Sequence, residues 1–127
     1  MGRSSSRPNI ATLPPEIGNL CSLWHLGVSD NRLTVLPAEI CNLTNLTSLI
    51  MDNNRLTSLP AEIDNLAILK YLRIHDNQLT GLPPEIIDLT NLEKLNISGN
   101  LVTELPSNIK SMIGRGGRVN VKGQSKI

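Results

Sequence analysis

Residues 34–56 read TVLPAEICNLTNLTSLIMDNNRL, and residues 57–79 read TSLPAEIDNLAILKYLRIHDNQL. The two stretches have the same length and place Leu, Pro, Glu, Ile and Asn at the same positions. Two further full copies occupy residues 11–33 and 80–102, and a degenerate fifth copy follows them. Self-similarity at a fixed period of this length is the signature of stacked structural repeats. The sequence therefore predicts one repeat domain over residues 10–110.

Each copy contains a short apolar-x-apolar segment, of which Leu26-Gly27-Val28 is the first. Alternate residues of an extended chain point to opposite faces, so each segment predicts a short strand with one buried side. Copies stacked at about 4.8 Å would form a parallel sheet over a continuous Leu and Ile core. The Pro-x-Glu-Ile segment favours a helical or 3₁₀ turn on the other side, because Pro fits the first helical position and Glu favours the first turn.

A repeated asparagine follows each strand inside an otherwise apolar pattern. A buried side-chain amide must find hydrogen-bond partners. We therefore expect these asparagines to bridge the backbones of adjacent coils as a ladder. The ladder residues are Asn31, Asn54, Asn77 and Asn100.

The shared pattern is L-P-x-E-I-x-N-L-x-x-L-x-x-L-x-L-x-x-N-x-L, which resembles the 23-residue form of the leucine-rich-repeat family. The resemblance covers about residues 9–110 and implies a right-handed α/β solenoid. In that fold a short parallel sheet lies on the concave side, and helical or 3₁₀ turns and loops lie on the convex side. This version of the repeat is similar to that of the intracellular Ras-suppressor and Ras-group proteins. That similarity implies a signalling scaffold whose partners include small GTPases or phosphatase subunits.

The two ends of the repeat array differ from its middle. After Pro106 the register is lost, and a one-residue insertion would place Val119 and Val121 on the strand of a closing coil. We expect residues 1–9 to be a flexible segment and residues 111–127 to be a basic tail containing Gly and Arg. Solenoid ends need polar caps, so open repeat ends predict either self-association or a longer chain of which this sequence is a piece.

The variable positions around the strands face the concave side and are free to differ between copies. Both aromatic residues and both histidines of the protein fall on this set. Aromatic residues and Arg are enriched at protein-binding hot spots. We therefore predict a non-catalytic protein-interaction module that binds its partner on the concave face. The predicted contact residues are Trp24, His25, Ile50, Asp52, Tyr71, Arg73, His75, Lys94 and Asn96.

No pattern for catalysis, a cofactor or a metal emerges, and we predict that the protein is not an enzyme. His25 and His75 lie two coils apart, about 10 Å at one strand spacing per coil, which is too far for shared zinc ligation. Cys21 and Cys41 lack metal-ligand spacing and are predicted to be free thiols. A grouping of His75, Asp76 and Ser98 has no accompanying oxyanion hole and no shelter from water.

Charge divides the chain into an acidic body and basic ends. All 11 acidic residues lie between residues 11 and 106, which hold five of the 12 basic residues. The remaining basic residues flank this body at Arg3, at Arg7 and in the tail. One alternative function is therefore RNA association through the Gly/Arg tail, although no aromatic residues interleave there for base stacking. The nucleic-acid signal is accordingly weak.

Two further alternatives concern location. Met1 to Ser6 fits the N-myristoylation pattern, which makes Gly2 a candidate lipidation site and leaves a membrane-associated adaptor open. Sequons at Asn42, Asn45 and Asn96 leave an extracellular or immune-type recognition protein open, but the repeat consensus generates such triplets by itself. No apolar secretory segment follows the N-terminus and two cysteines are no disulfide framework, so we expect a cytoplasmic protein, with peripheral membrane contact as the alternative.

Overall fold

A computed structural model of the chain describes residues 10–106, Ile109, and the backbone of residues 118–120. Four coils follow one another and correspond to the four full copies; coil 1 is residues 11–33, coil 2 is 34–56, coil 3 is 57–79 and coil 4 is 80–102. Gly2 and most of the basic tail, including Val121, lie outside the described residues. Within the described residues, no helix is long and apolar enough to span a bilayer.

Each coil contributes one three-residue strand to a parallel sheet. The strands are β1 (His25–Gly27), β2 (Ser48–Ile50), β3 (Tyr71–Arg73), β4 (Lys94–Asn96) and β5 (Arg118–Asn120), and they pair in chain order. The register joins equivalent repeat positions, since Leu26 pairs with Leu49, and Leu72 pairs with Leu95. In β5, Val119 lies opposite Leu95, which is the position that a one-residue insertion gives it.

A row of short 3₁₀ helices forms the wall away from the sheet. These helices are Pro15–Asn19, Ala38–Asn42, Ala61–Asn65 and Pro84–Asp88. A proline in extended conformation precedes each one, and each has a glutamate in its first turn, where the helix dipole favours a negative charge. The predicted α/β solenoid with 3₁₀ turns opposite a parallel sheet is confirmed.

The core between the two walls is almost wholly aliphatic. Leu49, Ile63, Leu66 and Ile74 are completely buried, and their equivalents in coils 2 to 4 are at most 1% exposed, whereas those in coil 1 are half-buried or exposed. Because the spacing between coils is set by the sheet, one branched aliphatic side chain per position and coil fills the interior without aromatic residues.

Asparagines bridge successive coils just after the strands. In coil 3, the Nδ2 of Asn77 donates to the carbonyl of Met51 at 3.0 Å and to that of Ile74 at 3.0 Å. Its Oδ1 accepts the backbone N–H of Leu56 at 2.9 Å. Asn54 and Asn100 are equally buried and repeat this pattern, whereas Asn31 in coil 1 is half-buried and binds the N–H of Ile10. These bonds satisfy backbone groups that the short strands leave unpaired.

The residue before each ladder asparagine has left-handed backbone geometry, with φ values of 61° at Asp30, 58° at Asn53, 58° at Asp76 and 68° at Gly99. Asp, Asn and Gly are the residues that tolerate this region best. At Gly99 a Cβ would collide with the carboxylate of Asp76. This left-handed turn ends the strand and sends the ladder amide inward.

Candidate functional site

The solvent side of the sheet, which we call the sheet face, carries five rows of variable residues that run from coil to coil. One row is Trp24, Thr47, Lys70 and Glu93; the next is His25, Ser48, Tyr71 and Lys94; the middle row is Gly27, Ile50, Arg73 and Asn96. Two rows follow the strands: Ser29, Asp52, His75 and Ser98, and then Asp30, Asn53, Asp76 and Gly99. Because the sheet is parallel and in register, equal repeat positions become lateral neighbours.

The aromatic residues of the face are exposed but lie apart. Trp24 is 66% exposed and its ring lies 5.8 Å from that of His25, centroid to centroid. Tyr71 is 38% exposed and two coils away, where the Nζ of Lys94 lies 5.9 Å from its ring centroid. The Nδ1 of His25 is 2.9 Å from the hydroxyl of Ser48. The two aromatic residues therefore offer separate anchor points.

A network of polar side chains joins three coils at the ends of the strands. Asp52 is only 7% exposed, and its Oδ1 accepts a hydrogen bond from Ser29 at 2.8 Å and one from Arg73 at 3.3 Å. Its Oδ2 lies 3.6 Å from the Nε2 of His75, whose Nδ1 is 3.0 Å from Asp76. Coils 1, 2 and 3 are thereby tied together on the solvent side as well as in the core.

The electrostatics of this network favour an ionised Asp52. Burial by itself raises the pKa of this carboxyl group. The hydrogen bond from Ser29, the residue's own backbone amide, and the charges of His75 and Arg73 outweigh that effect, so the pKa of Asp52 lies below its ordinary value. Asp52 therefore acts as a fixed negative charge beneath the guanidinium of Arg73.

The remaining predicted contact residues differ in how far they reach solvent. Lys94 and Arg73 are exposed, while Ile50 and Asn96 are half-buried. The Oδ1 of Asn96 accepts both the N–H and the hydroxyl of Ser98, at 3.0 and 2.7 Å. Asn96 thus turns back onto its own coil, and Asp52 serves to hold its neighbours.

Some residues of the network were left out of the predicted contact set. Ser29 and Asp76 stand at variable positions, yet only the folded coil shows that they hold Asp52 and His75. The signal available in the sequence was the period itself. Ser29 stands one full period before Asp52, so the two residues lie side by side in coils 1 and 2.

In the grouping of His75, Asp76 and Ser98, the histidine contacts the aspartate but the serine hydroxyl points elsewhere. Ser98 donates its hydroxyl to Asn96, and both ring nitrogens of His75 face carboxylates. No nucleophile–base pair is present between them. Among the described residues no group of three or more His, Cys, Asp or Glu could hold a metal ion, and both cysteines are free.

Comparison with known proteins agrees with this architecture. A leucine-rich-repeat model matches residues 21–79, and a model of two leucine-rich-repeat copies matches residues 69–111. The chain is a leucine-rich-repeat protein. Such proteins are typically non-catalytic, and their repeat domains generally mediate protein–protein interaction. No curated protein matches the chain at a significant level of similarity.

Similar solved structures come from bacteria and plants. A leucine-rich-repeat protein of Leptospira interrogans is 38% identical with a TM-score of 0.76, over 88% of this chain and 29% of that one. The ectodomain of the receptor kinase SOBIR1 from Arabidopsis thaliana is 29% identical with a TM-score of 0.81, over 94% and 67%. The plant peptide hormone receptor RGFR1, solved in complex with RGF2, is 34% identical with a TM-score of 0.75, over 87% and 18%. The chain thus spans less than a third of the Leptospira protein.

Proposed function

We propose that this protein is an intracellular adaptor of signalling complexes that binds a protein partner on its sheet face. One observation carries the proposal: the side chains able to anchor a partner, Trp24, Tyr71 and Arg73, stand exposed on one face of a rigid stack. Large aromatic and Arg side chains are the usual hot spots of protein interfaces. RGFR1, which has a similar fold, is a plant peptide hormone receptor solved in complex with RGF2. This likeness supports the proposal that the present protein binds a polypeptide.

A cytoplasmic location is part of the proposal. Both cysteines are free thiols and Cys41 is buried, whereas small extracellular domains depend on disulfides. Four coils provide only about 20 Å of sheet at the strand spacing, so we expect a small interface and modest affinity. By resemblance to the Ras-group repeats, a small GTPase or a phosphatase subunit is the proposed partner class.

The proposal is tested by affinity capture from a lysate of the source cells with mass-spectrometric identification. The test bait carries Tyr71→Ala and Lys94→Glu on the sheet face. The matched control bait carries Ile68→Ala and Arg55→Glu, because Ile68 is 40% exposed, as Tyr71 is 38% exposed, but lies outside the sheet. Arg73 is left unchanged, since an acidic residue there would destabilise the buried Asp52.

We expect specific proteins to be lost with the test bait and retained with the control bait. Capture in the presence of GDP or of a non-hydrolysable GTP analogue then checks the GTPase assignment. A small GTPase that binds this protein as its effector is captured in one nucleotide state only. Proteins captured equally by both baits would exclude the sheet face as the binding site.

A further inference from the structure

Charge on the sheet face is separated along the direction of the strands. The basic residues Lys70, Lys94 and Arg73 stand in the first three rows, which precede and include the strands. Glu93 is the only acidic residue in these rows of the described coils. The exposed acidic residues Asp30 and Asp76 stand in the outer of the two rows beyond the strands, and the buried Asp52 in the inner row is already paired with Arg73. The face therefore has a cationic end and an anionic end.

Contacts within the protein hold the charged groups at both ends in place. Lys94 lies over the ring of Tyr71, and Arg73 is fixed at one nitrogen by Asp52 while its side chain stays 52% exposed. At the anionic end, His75 lies against the carboxylate of Asp76, whose side chain is 56% exposed. Charges that are already positioned lose less conformational entropy when a partner binds, so they contribute more to affinity.

Arg73 and Asp52 form an ion pair where the two ends meet, but the outer charges, Lys94 and Asp76, are far enough apart to act independently. Lys94 and Asp76 stand in rows five residues apart along the strand direction, which corresponds to at most about 16 Å at about 3.3 Å per residue, since the strand ends before Asp76. The Debye length at physiological ionic strength is about 8 Å, half of that distance. A partner with interleaved charges gains at neither end, whereas a partner with charges segregated over this length gains at both.

An α-helix covers this distance in about 11 residues, at about 1.5 Å per residue. Helices themselves favour acidic residues at the N-terminus and basic residues at the C-terminus, because of the helix dipole. A helix that is stabilised by its own charges thus has the charge order that complements the sheet face.

We propose that the sheet face binds a helical segment of a protein partner that is acidic in its first turns and basic in its last turns. The helix lies along the strand direction, with its acidic end over Lys94 and Arg73 and its basic end over Asp76. This inference rests on the proposed function and specifies the chemistry of the partner element.

The test uses two synthetic helical peptides of identical composition with blocked ends. One peptide has three Glu in its first turn and three Lys in its last turn around an alanine-rich middle, and in the other the same residues are interleaved. Binding to the full chain is measured by amide chemical-shift titration at 0.05 and 0.15 M salt. We expect the segregated peptide to bind at least about fivefold more tightly, which corresponds to about 1 kcal/mol.

Matched variants locate the effect. Lys94→Glu should remove most of the preference at the cationic end, and Arg55→Glu, with the same change of charge outside the sheet face, should not. Asp76→Asn, which keeps a residue suited to left-handed geometry, should weaken binding of the segregated peptide more than Glu62→Gln on the 3₁₀ wall. Equal affinity for the two peptides, no binding of either, or a preference unchanged in Lys94→Glu would each overturn the inference.

The two proposals fail separately. If the peptides are not discriminated but cellular proteins are still lost with the Tyr71→Ala and Lys94→Glu bait, the adaptor function stands and the helical partner is wrong. If the segregated peptide binds the sheet face but no cellular protein depends on that face, the charge pattern is real and the adaptor function is wrong.

Discussion

Coil 1 and coil 3 have nearly the same pattern but differ in burial. Leu66 of coil 3 is completely buried, while Leu20, its counterpart in coil 1, is 51% exposed. Asn77 is buried and Asn31 is half-buried. The difference shows that the repeat motif decides only which side chains point inward. Burial itself requires a neighbouring coil on both sides, as expected for a solenoid whose stability is a sum of repeat and interface terms.

The largest expected effect comes from truncating the two equivalent leucines. Leu66→Ala leaves a cavity between two coils and should lower the free energy of unfolding by about 3 kcal/mol. Leu20→Ala removes a side chain that is half in water and should cost less than about 1 kcal/mol. Urea denaturation of both variants measures the contrast. Equal losses would mean that coil 1 is covered in solution by another part of the protein or by a second copy.

The two cysteines extend the comparison to reactivity, because Cys21 is exposed in coil 1 and Cys41 is buried in coil 2. Burial, followed by the negative charges of Glu62 and Asp64, raises the pKa of Cys41 to about 11. Since the thiolate is the reactive form, Cys41 should react with iodoacetamide roughly 100-fold more slowly than Cys21 near pH 8. Peptide mapping after a timed reaction reads both rates, and fast labelling of Cys41 in the folded protein would contradict its buried position.

Removing a ladder amide should have a smaller effect on stability. In Asn77→Ala the carbonyls of Met51 and Ile74 each keep a bond from a neighbouring ladder asparagine, and the N–H of Leu56 loses its partner. An unsatisfied buried donor costs about 2 kcal/mol. Asn31→Ala should cost about half as much, since its partners lie nearer to solvent. A loss for Asn31→Ala as large as that for Asn77→Ala in the same denaturation assay would refute this ranking.

The smallest expected effect is the pH dependence contributed by Asp52, which contacts coil 1 through Ser29 and coil 3 through Arg73 and His75. Its lowered pKa means that folding favours the ionised carboxylate. The resulting stabilisation is complete above the unfolded-state pKa of about 3.9 and is lost as the pH falls through that value toward the folded-state pKa. Thermal unfolding between pH 6 and pH 3 should therefore show a shallower decline in Asp52→Asn than in the unaltered protein.

Ser29→Ala is the matched control for this last prediction. It removes one hydrogen bond to Asp52 and leaves the contacts from coil 3, so its pH dependence should be intermediate. If Ser29→Ala matches the unaltered protein while Asp52→Asn is shallower, the contacts from coil 3 and the backbone amide of Asp52 lower the pKa of Asp52 without Ser29.

The amino-acid sequence alone specifies the period, the parallel strands, the 3₁₀ wall and the inward-pointing positions. It could do so because the alternation around Leu26, Leu49, Leu72 and Leu95 recurs unchanged, and each copy has one way to bury its apolar side. The variable positions were identified by the same argument. The hydrogen bonds that these variable side chains make within the protein were not predicted. The sequence analysis placed Asp52 and Asn96 in the contact set, and in the structure both side chains also accept hydrogen bonds from other residues of the chain.

Which polar side chains meet depends on how the coils stack. Ser29, Asp52 and His75 stand one full period apart along the chain and become neighbours because parallel pairing places equal repeat positions side by side. Tertiary structure also decided that Cys41 is buried, that Leu20 is half exposed, and that cationic and anionic groups collect at opposite ends of the sheet face. The physical reason is that a period fixes directions within one coil, whereas contacts, burial and electrostatics depend on the coils stacked on either side.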